Sequence, residues 1–172
     1  MRAAQCPVVI PRHVGEKAKA NPRLLVGVDL TKDSHRWLIN QAGEWAASLG
    51  GCVDAVFMVP NPAVAGIRNK SVRDAALREW TEAQAPHRKQ LESAMASIDE
   101  AHRGKALVEA GDPENDLVAL SADYDFVVVG NLEHSGLKGY LLGTVASHVV
   151  RSAKCHVITL PAAAYLQQRE EN

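Results

Sequence analysis

The sequence predicts an α/β fold, with a five-stranded parallel sheet wound on both faces by helices. Three observations predict it. Short, β-rich apolar runs recur five times along the chain, and a helical spacing of apolar residues separates each run from the next. Glycine, proline or aspartate marks most of the junctions. Strands separated by helices pair in parallel, because only a long crossover returns the chain to the same edge of a sheet. Helices packed on both faces then make the sheet doubly wound.

The first run, Leu24-Leu25-Val26-Gly27-Val28-Asp29, is almost free of polar groups and reads as a buried strand. Thr31, Asp33 and Ser34 supply helix N-cap chemistry after it. Leu38, Ala42, Trp45, Ala46 and Leu49 then recur at three- and four-residue spacing, one apolar stripe along a helix that Gly50-Gly51 stops. A second strand is expected over 52–59, closed by Pro60-Asn61-Pro62. Residues 71–98 read as helical, with Val72, Ala76, Trp80 and Ala83 on one face and Leu91, Met95 and Ile98 on another. Pro86 either kinks this helix or opens a second one. A third strand over 105–110 turns at Gly111-Asp112-Pro113 into a helix carrying Leu117 and Leu120. Phe126-Val127-Val128-Val129-Gly130 is the strongest strand in the sequence. A loop and a helix with Leu141, Leu142, Val145, Ala146, Val149 and Val150 lead to a last strand over 156–160.

These elements divide the chain into an N-terminal arm over 1–21, a domain over 22–161 and a C-terminal tail over 162–172. The arm carries Cys6-Pro7-Val8-Val9-Ile10-Pro11, which echoes the last strand and its flanks. It reads either as a chance apolar stretch or as an extra edge strand. In a sheet of this kind a ligand binds beyond the carboxyl ends of the strands, where the strand order reverses. Asp29 and the loop after Gly130 therefore form the candidate site, although an Asp at a strand end can equally be a turn residue.

Composition narrows the function. With 47% hydrophobic and 23% charged residues the chain is an ordinary globular one. A net charge of −1 gives no global field to recruit nucleic acid or an anionic membrane. No apolar run is long enough to span a bilayer, and the N-terminus lacks a signal-peptide core, so the expected location is cytoplasmic. Cys6, Cys52 and Cys155 are far apart, with no C-x-x-C pair, against a disulfide framework or a zinc site. Cys155 is expected to pack as a small apolar group, and Trp45 and Trp80 as core residues rather than base-stacking platforms. His134 and His148 are expected to be a solvated loop residue and a helix-face residue.

The segment after the strongest strand has its own chemistry. Glycines let a backbone turn and approach a ligand closely. A helix starting near Gly143-Thr144 offers unpaired N–H groups and a positive dipole end, a seat for phosphate. The Thr144 hydroxyl and the Lys138 ammonium add to it. The spacing resembles that of the ATP-binding members of the universal stress protein family: Gly, two residues, Gly, nine residues, Gly, then Ser or Thr. Here it reads Gly130, two residues, Glu133, nine residues, Gly143, Thr144. The resemblance covers about residues 22–161 and includes His134-Ser135-Gly136-Leu137-Lys138, Val149-Val150-Arg151 and the strand ending in Val28-Asp29.

The resemblance implies a Rossmann-like, adenine-nucleotide alpha-hydrolase-like sheet in the order 3-2-1-4-5. It also implies ATP or AMP as ligand, with Mg as a companion ion. Val28 and Asp29 would lie beside ribose and adenine, Val53 would help frame the base, and Gly130, Glu133, Gly143, Thr144 and Val145 would surround the phosphates. It further implies a homodimer through the last strand, where Val157, Ile158 and Leu160 supply an apolar edge. Glu133 is the departure from the pattern. Pointing inward about 4 Å from phosphate, it would repel by roughly 1–4 kcal/mol, a loss of about fivefold to a thousandfold in affinity. Pointing outward, it would be screened by salt. The chain thus reads as a nucleotide-responsive regulatory module of the stress response or as a dimeric scaffold with a protein partner. No nucleophile elbow, H-E-x-x-H or Gly-rich loop after the first strand marks an enzyme, and ATP hydrolysis is expected to be very slow at most.

Overall fold

The chain enters the sheet earlier than its second apolar run. A computed structural model describes residues 6–12, 19–131 and 143–161. Strand β1 (Val8–Ile10) comes from the N-terminal arm. It is followed by β2 (Arg23–Gly27), α1 (His35–Leu49), β3 (Cys52–Val59), α2 (Lys70–Ala83), α3 (Ala85–Met95) and β4 (Arg103–Ala110). Then come α4 (Pro113–Leu120), β5 (Phe126–Asn131), α5 (Thr144–Ser152) and β6 (His156–Pro161). One sheet holds all six strands in the order β1-β6-β5-β2-β3-β4.

The five-stranded, all-parallel sheet predicted from the sequence is therefore corrected: the sheet has six strands and is mixed. β2 pairs in parallel with both β3 and β5, β3 with β4, and β5 with β6. β1 runs antiparallel to β6, with Val8 opposite Thr159 and Ile10 opposite Val157. A three-residue strand is too short to carry a periodic signal of its own. It forms because β6 offers an unpaired row of backbone groups.

The strands bury both faces, which is why they lack polar alternation. Leu24, Val26, Val53, Val128 and Ile158 face one core beneath α1 and α3. Leu25, Val56, Val127, Val129 and Val157 face a second core with Leu117, Ala146 and Val149 of α4 and α5. Each fully buried Leu, Ile or Val contributes on the order of 1.5–3 kcal/mol of burial free energy.

Helix ends follow local chemistry, with two departures. Gly50 ends α1 in the left-handed region at φ 68, and its N–H returns to Ala46 and Ala47. Asn69 caps α2 by accepting from the N–H groups of Ser71 and Val72, and Asp112 caps α4 by accepting from Asn115. Pro86 sits in the first turn of α3, so it opens a second helix rather than kinking one. Ser34 occupies the cap position of α1 but its side chain makes no cap hydrogen bond. The stripe of α1 is also rotated from the predicted one. His35, Trp37 and Ile39 are buried with Leu38, Ala42 and Ala46, while Leu49 is 37% exposed. Helix α2 buries no residue, and its Val72 is 53% exposed.

At the amino ends of the strands a buried carboxylate ties four segments together. Asp54 of β3 accepts from Arg23 Nη2 at 2.8 Å, Tyr124 Oη at 2.8 Å and the Lys105 N–H at 2.7 Å. The Arg23 guanidinium lies 4.5 Å from the centre of the Tyr124 ring. Burial and the hydrogen bond to Asp54 hold the Tyr124 hydroxyl protonated well above the ordinary tyrosine range. A Cβ on Gly104 would stand 2.0 Å from Asp54 Oδ1, so this position of β4 needs glycine.

Candidate functional site

The strand order reverses at β2. From it the chain proceeds outward through β3 and β4, then crosses back to β5 on the other side. α1 and α3 lie on one face, α4 and α5 on the other. The crevice between these crossovers opens at the carboxyl ends of β2 and β5.

Gly27 stands opposite Val129, so Val28 and Gly130 come next along the two neighbouring strands. Val28 is half-buried against the α1-side core, and its N–H donates to Val56 O at 3.0 Å, extending the ladder one step. Asp29 is exposed and closes a turn. Its Oδ1 accepts from Thr31 N at 3.0 Å and from Thr31 Oγ1 at 2.6 Å. Its other carboxylate oxygen has no protein hydrogen bond among the described residues. Asp29 is thus a turn residue and still presents an oxygen at the strand end.

The N-terminus of α5 reaches the same edge of the sheet, because α5 runs antiparallel to β5 and β6. Gly143 is its N-cap, Thr144 is exposed and Val145 packs partly into the second core. No acidic residue stands in the first turn, and the Gly143 carbonyl is used by Ser147 N at 2.8 Å. Gly143 itself has φ −56, open to any residue, and a Cβ there would meet nothing within 4 Å. No described residue would crowd a side chain at this position. Among the described residues the first N–H groups of α5 have no partner and no carboxylate stands in the first turn, an arrangement that fits a phosphate.

One of the residues named from sequence stands elsewhere. Val53 is 0% exposed and pairs with Leu24 at the amino end of β3, so it cannot frame a base at the carboxyl edge. The residue beside Val28 is Phe57, since Gly27 stands opposite Val56. Phe57 packs partly into the α1-side core, with its ring 5.2 Å from that of His87. Counting back from Pro60 rather than forward from Cys52 would have found it. Glu133, with His134 and Lys138, lies outside the described residues.

His35, at the head of α1, was missed by the sequence reading. Its Nδ1 lies 2.6 Å from Lys32 O, and since a carbonyl only accepts, Nδ1 carries the proton. Nε2 is buried and has no partner among the described residues. The signal was its place three and four residues before Leu38 and Ile39. Among the described residues no three His, Cys, Asp or Glu side chains gather as a metal set, and no helix is long and apolar enough to cross a membrane.

Comparison with known proteins bears on the whole domain. No curated protein sequence matches this one. A universal stress protein solved in complex with cAMP is similar at 24% identity and TM-score 0.58, over 84% of this chain and 99% of that one. The universal stress protein of Archaeoglobus fulgidus, solved in complex with dAMP, is 23% identical with TM-score 0.51, over 82% of this chain and 98% of its own. Protein PA1789 of Pseudomonas aeruginosa, with TM-score 0.63 and 20% identity, covers 98% of this chain, which spans only 57% of it. At these identities the structures share the fold alone. The model of the universal stress protein family matches residues 21–161, four-fifths of the sequence, and the chain therefore belongs to that family.

Proposed function

We propose that the chain is a nucleotide-responsive regulatory module of the cytoplasmic stress response that binds AMP or ATP at the carboxyl edge of its sheet. The observation that carries this is Gly143. It is a glycine that no described residue crowds, at the start of a helix, on the edge where β2 and β5 end. A residue without a Cβ there leaves room for a ligand to approach the backbone closely. Phosphate would rest on the first N–H groups of α5 and on Thr144, the ribose near Asp29, and the base against Val28 and Phe57. The cAMP and dAMP held by two similar proteins support an adenosine monophosphate as the core ligand. Mg²⁺ would accompany only the longer phosphate chain, bound by phosphate oxygens and water with at most one carboxylate.

A second reading is favoured by Glu133, which brings a carboxylate into the phosphate loop. In it the same fold is a scaffold without nucleotide. Calorimetric titration of AMP, and of ATP with Mg²⁺, into the wild type and Glu133→Gly separates the two. Micromolar binding by the wild type supports the module. Binding by Glu133→Gly alone supports the scaffold, and binding by neither removes the site. A homodimer built along β6, which the sequence resemblance implies, has to displace β1 from Val157–Thr159.

A further inference from the structure

The edge of β6 is filled by the chain's own arm, and the way the arm is held points to a role. β1 pairs with three of the six residues of β6. Its outward side chains are left open, Val8 being 36% and Val9 43% exposed. Ile10 packs partly into the core beneath α4 and α5. Arg12 closes the arm at its far end. Its backbone N–H donates to His156 Nδ1 at 3.1 Å, and its Nη2 donates to the carbonyl of Val150 in the last turn of α5. A helix C-terminus presents unpaired carbonyls and a negative dipole end, so an arginine there is favourably placed. Arg12 Nε is buried and has no partner among the described residues. The arm is therefore held by a three-residue ladder to β6 and by two side-chain anchors, Ile10 and Arg12.

We propose that residues 6–12 are a detachable latch that occupies the β6 edge within one chain and keeps a second copy of this chain from pairing there. The edge already accepts an antiparallel strand, and antiparallel pairing is what a two-fold axis requires of two β6 strands. The surface is thus self-complementary once the arm leaves. While attached, the arm competes as a tethered segment. Being part of the same chain gives it an effective concentration on the order of millimolar, so for equal intrinsic pairing a second copy at about 10 µM is disfavoured roughly a hundredfold.

The test is the mass in solution by light scattering of the full-length wild type and of Ile10→Asp/Arg12→Ala, which removes both anchor points and leaves β2, β5 and α5's N-terminus untouched. The latch predicts the 18.5 kDa monomer for the wild type and twice that mass for the variant at the same concentration. Excess synthetic peptide of residues 6–12 should return the variant to the monomer. A wild type that is already a dimer overturns the proposal, as does a variant that stays monomeric or a dimer that saturating peptide leaves intact. Hydrogen exchange of the wild type needs no variant: amides of Val8–Ile10 should exchange at least about tenfold faster than those of Val127–Val129, by local opening. Equal protection also overturns it. None of these readouts depends on nucleotide binding.

Discussion

Gly50 and Gly143 are glycines for different reasons. Gly50 sits at φ 68, where a Cβ is strained, whereas Gly143 has φ −56 and open space. Gly50→Val should therefore cost stability, on the order of 1–2 kcal/mol in urea unfolding. On the proposed reading, Gly143→Val should cost at most about 1 kcal/mol of stability, the N-cap preference, and lower AMP affinity about tenfold or more by filling the ligand's space. The thiols differ as sharply. Cys155 is buried, and that burial pushes its thiol up to about 11, while Cys6 is exposed. At pH 8 a thiol reagent should modify Cys6 at once and Cys155 only on unfolding. Because the folded thiol holds its proton more tightly than the unfolded one, Cys155 stabilises the fold below pH 9, and that stabilisation fades between pH 9 and 11. Replacing Cys155 with Ala should flatten that part of the alkaline loss by up to about 2 kcal/mol. At this scale the positions of Val28, Asp29 and Gly143 at strand and helix ends were legible in the sequence. Val53 was not, because its position along the chain says nothing of which end of the strand faces a ligand.

Among the elements, strands were easier to read than helix faces. Runs such as Phe126 to Val129 are apolar throughout because both faces are covered, and no phase has to be guessed. A helix stripe must be phased: in α1 the expected Leu38, Ala42 and Ala46 are buried, but Leu49 is exposed and Trp37 and Ile39 are buried beside them. α2 shows the opposite failure. Its apolar residues satisfy a helical period, yet only the half-buried Trp80 reaches the core. Its amides should be among the least protected of the helices in hydrogen exchange, and those of α1 among the most protected. The Asp54 cluster was invisible in sequence, since Arg23, Asp54, Lys105 and Tyr124 meet only once the strands align. Tyr124→Phe removes a donor to a buried carboxylate and should cost about 1.5–3 kcal/mol, read from the urea midpoint.

For the whole molecule, the alternation of strands and helices carried the fold class because parallel pairing leaves few ways to connect it. What it could not carry was the closure of the sheet. The arm's echo of the last strand offered an extra edge strand as one of two readings, and a strand of three residues is too short for period to decide between them, so its antiparallel pairing with β6 appears only in three dimensions. On the proposed reading the ligand takes the edge at the carboxyl ends of β2 and β5, while the Asp54 cluster ties the opposite edge. Amide chemical shifts during titration of AMP into the full-length protein test this most directly. The account predicts saturable shifts at Val28, Asp29, Gly130, Thr144 and Val145, and none at Arg23, Asp54 or Lys105. Silence at the first set up to millimolar AMP, or shifts centred on the second, would contradict it.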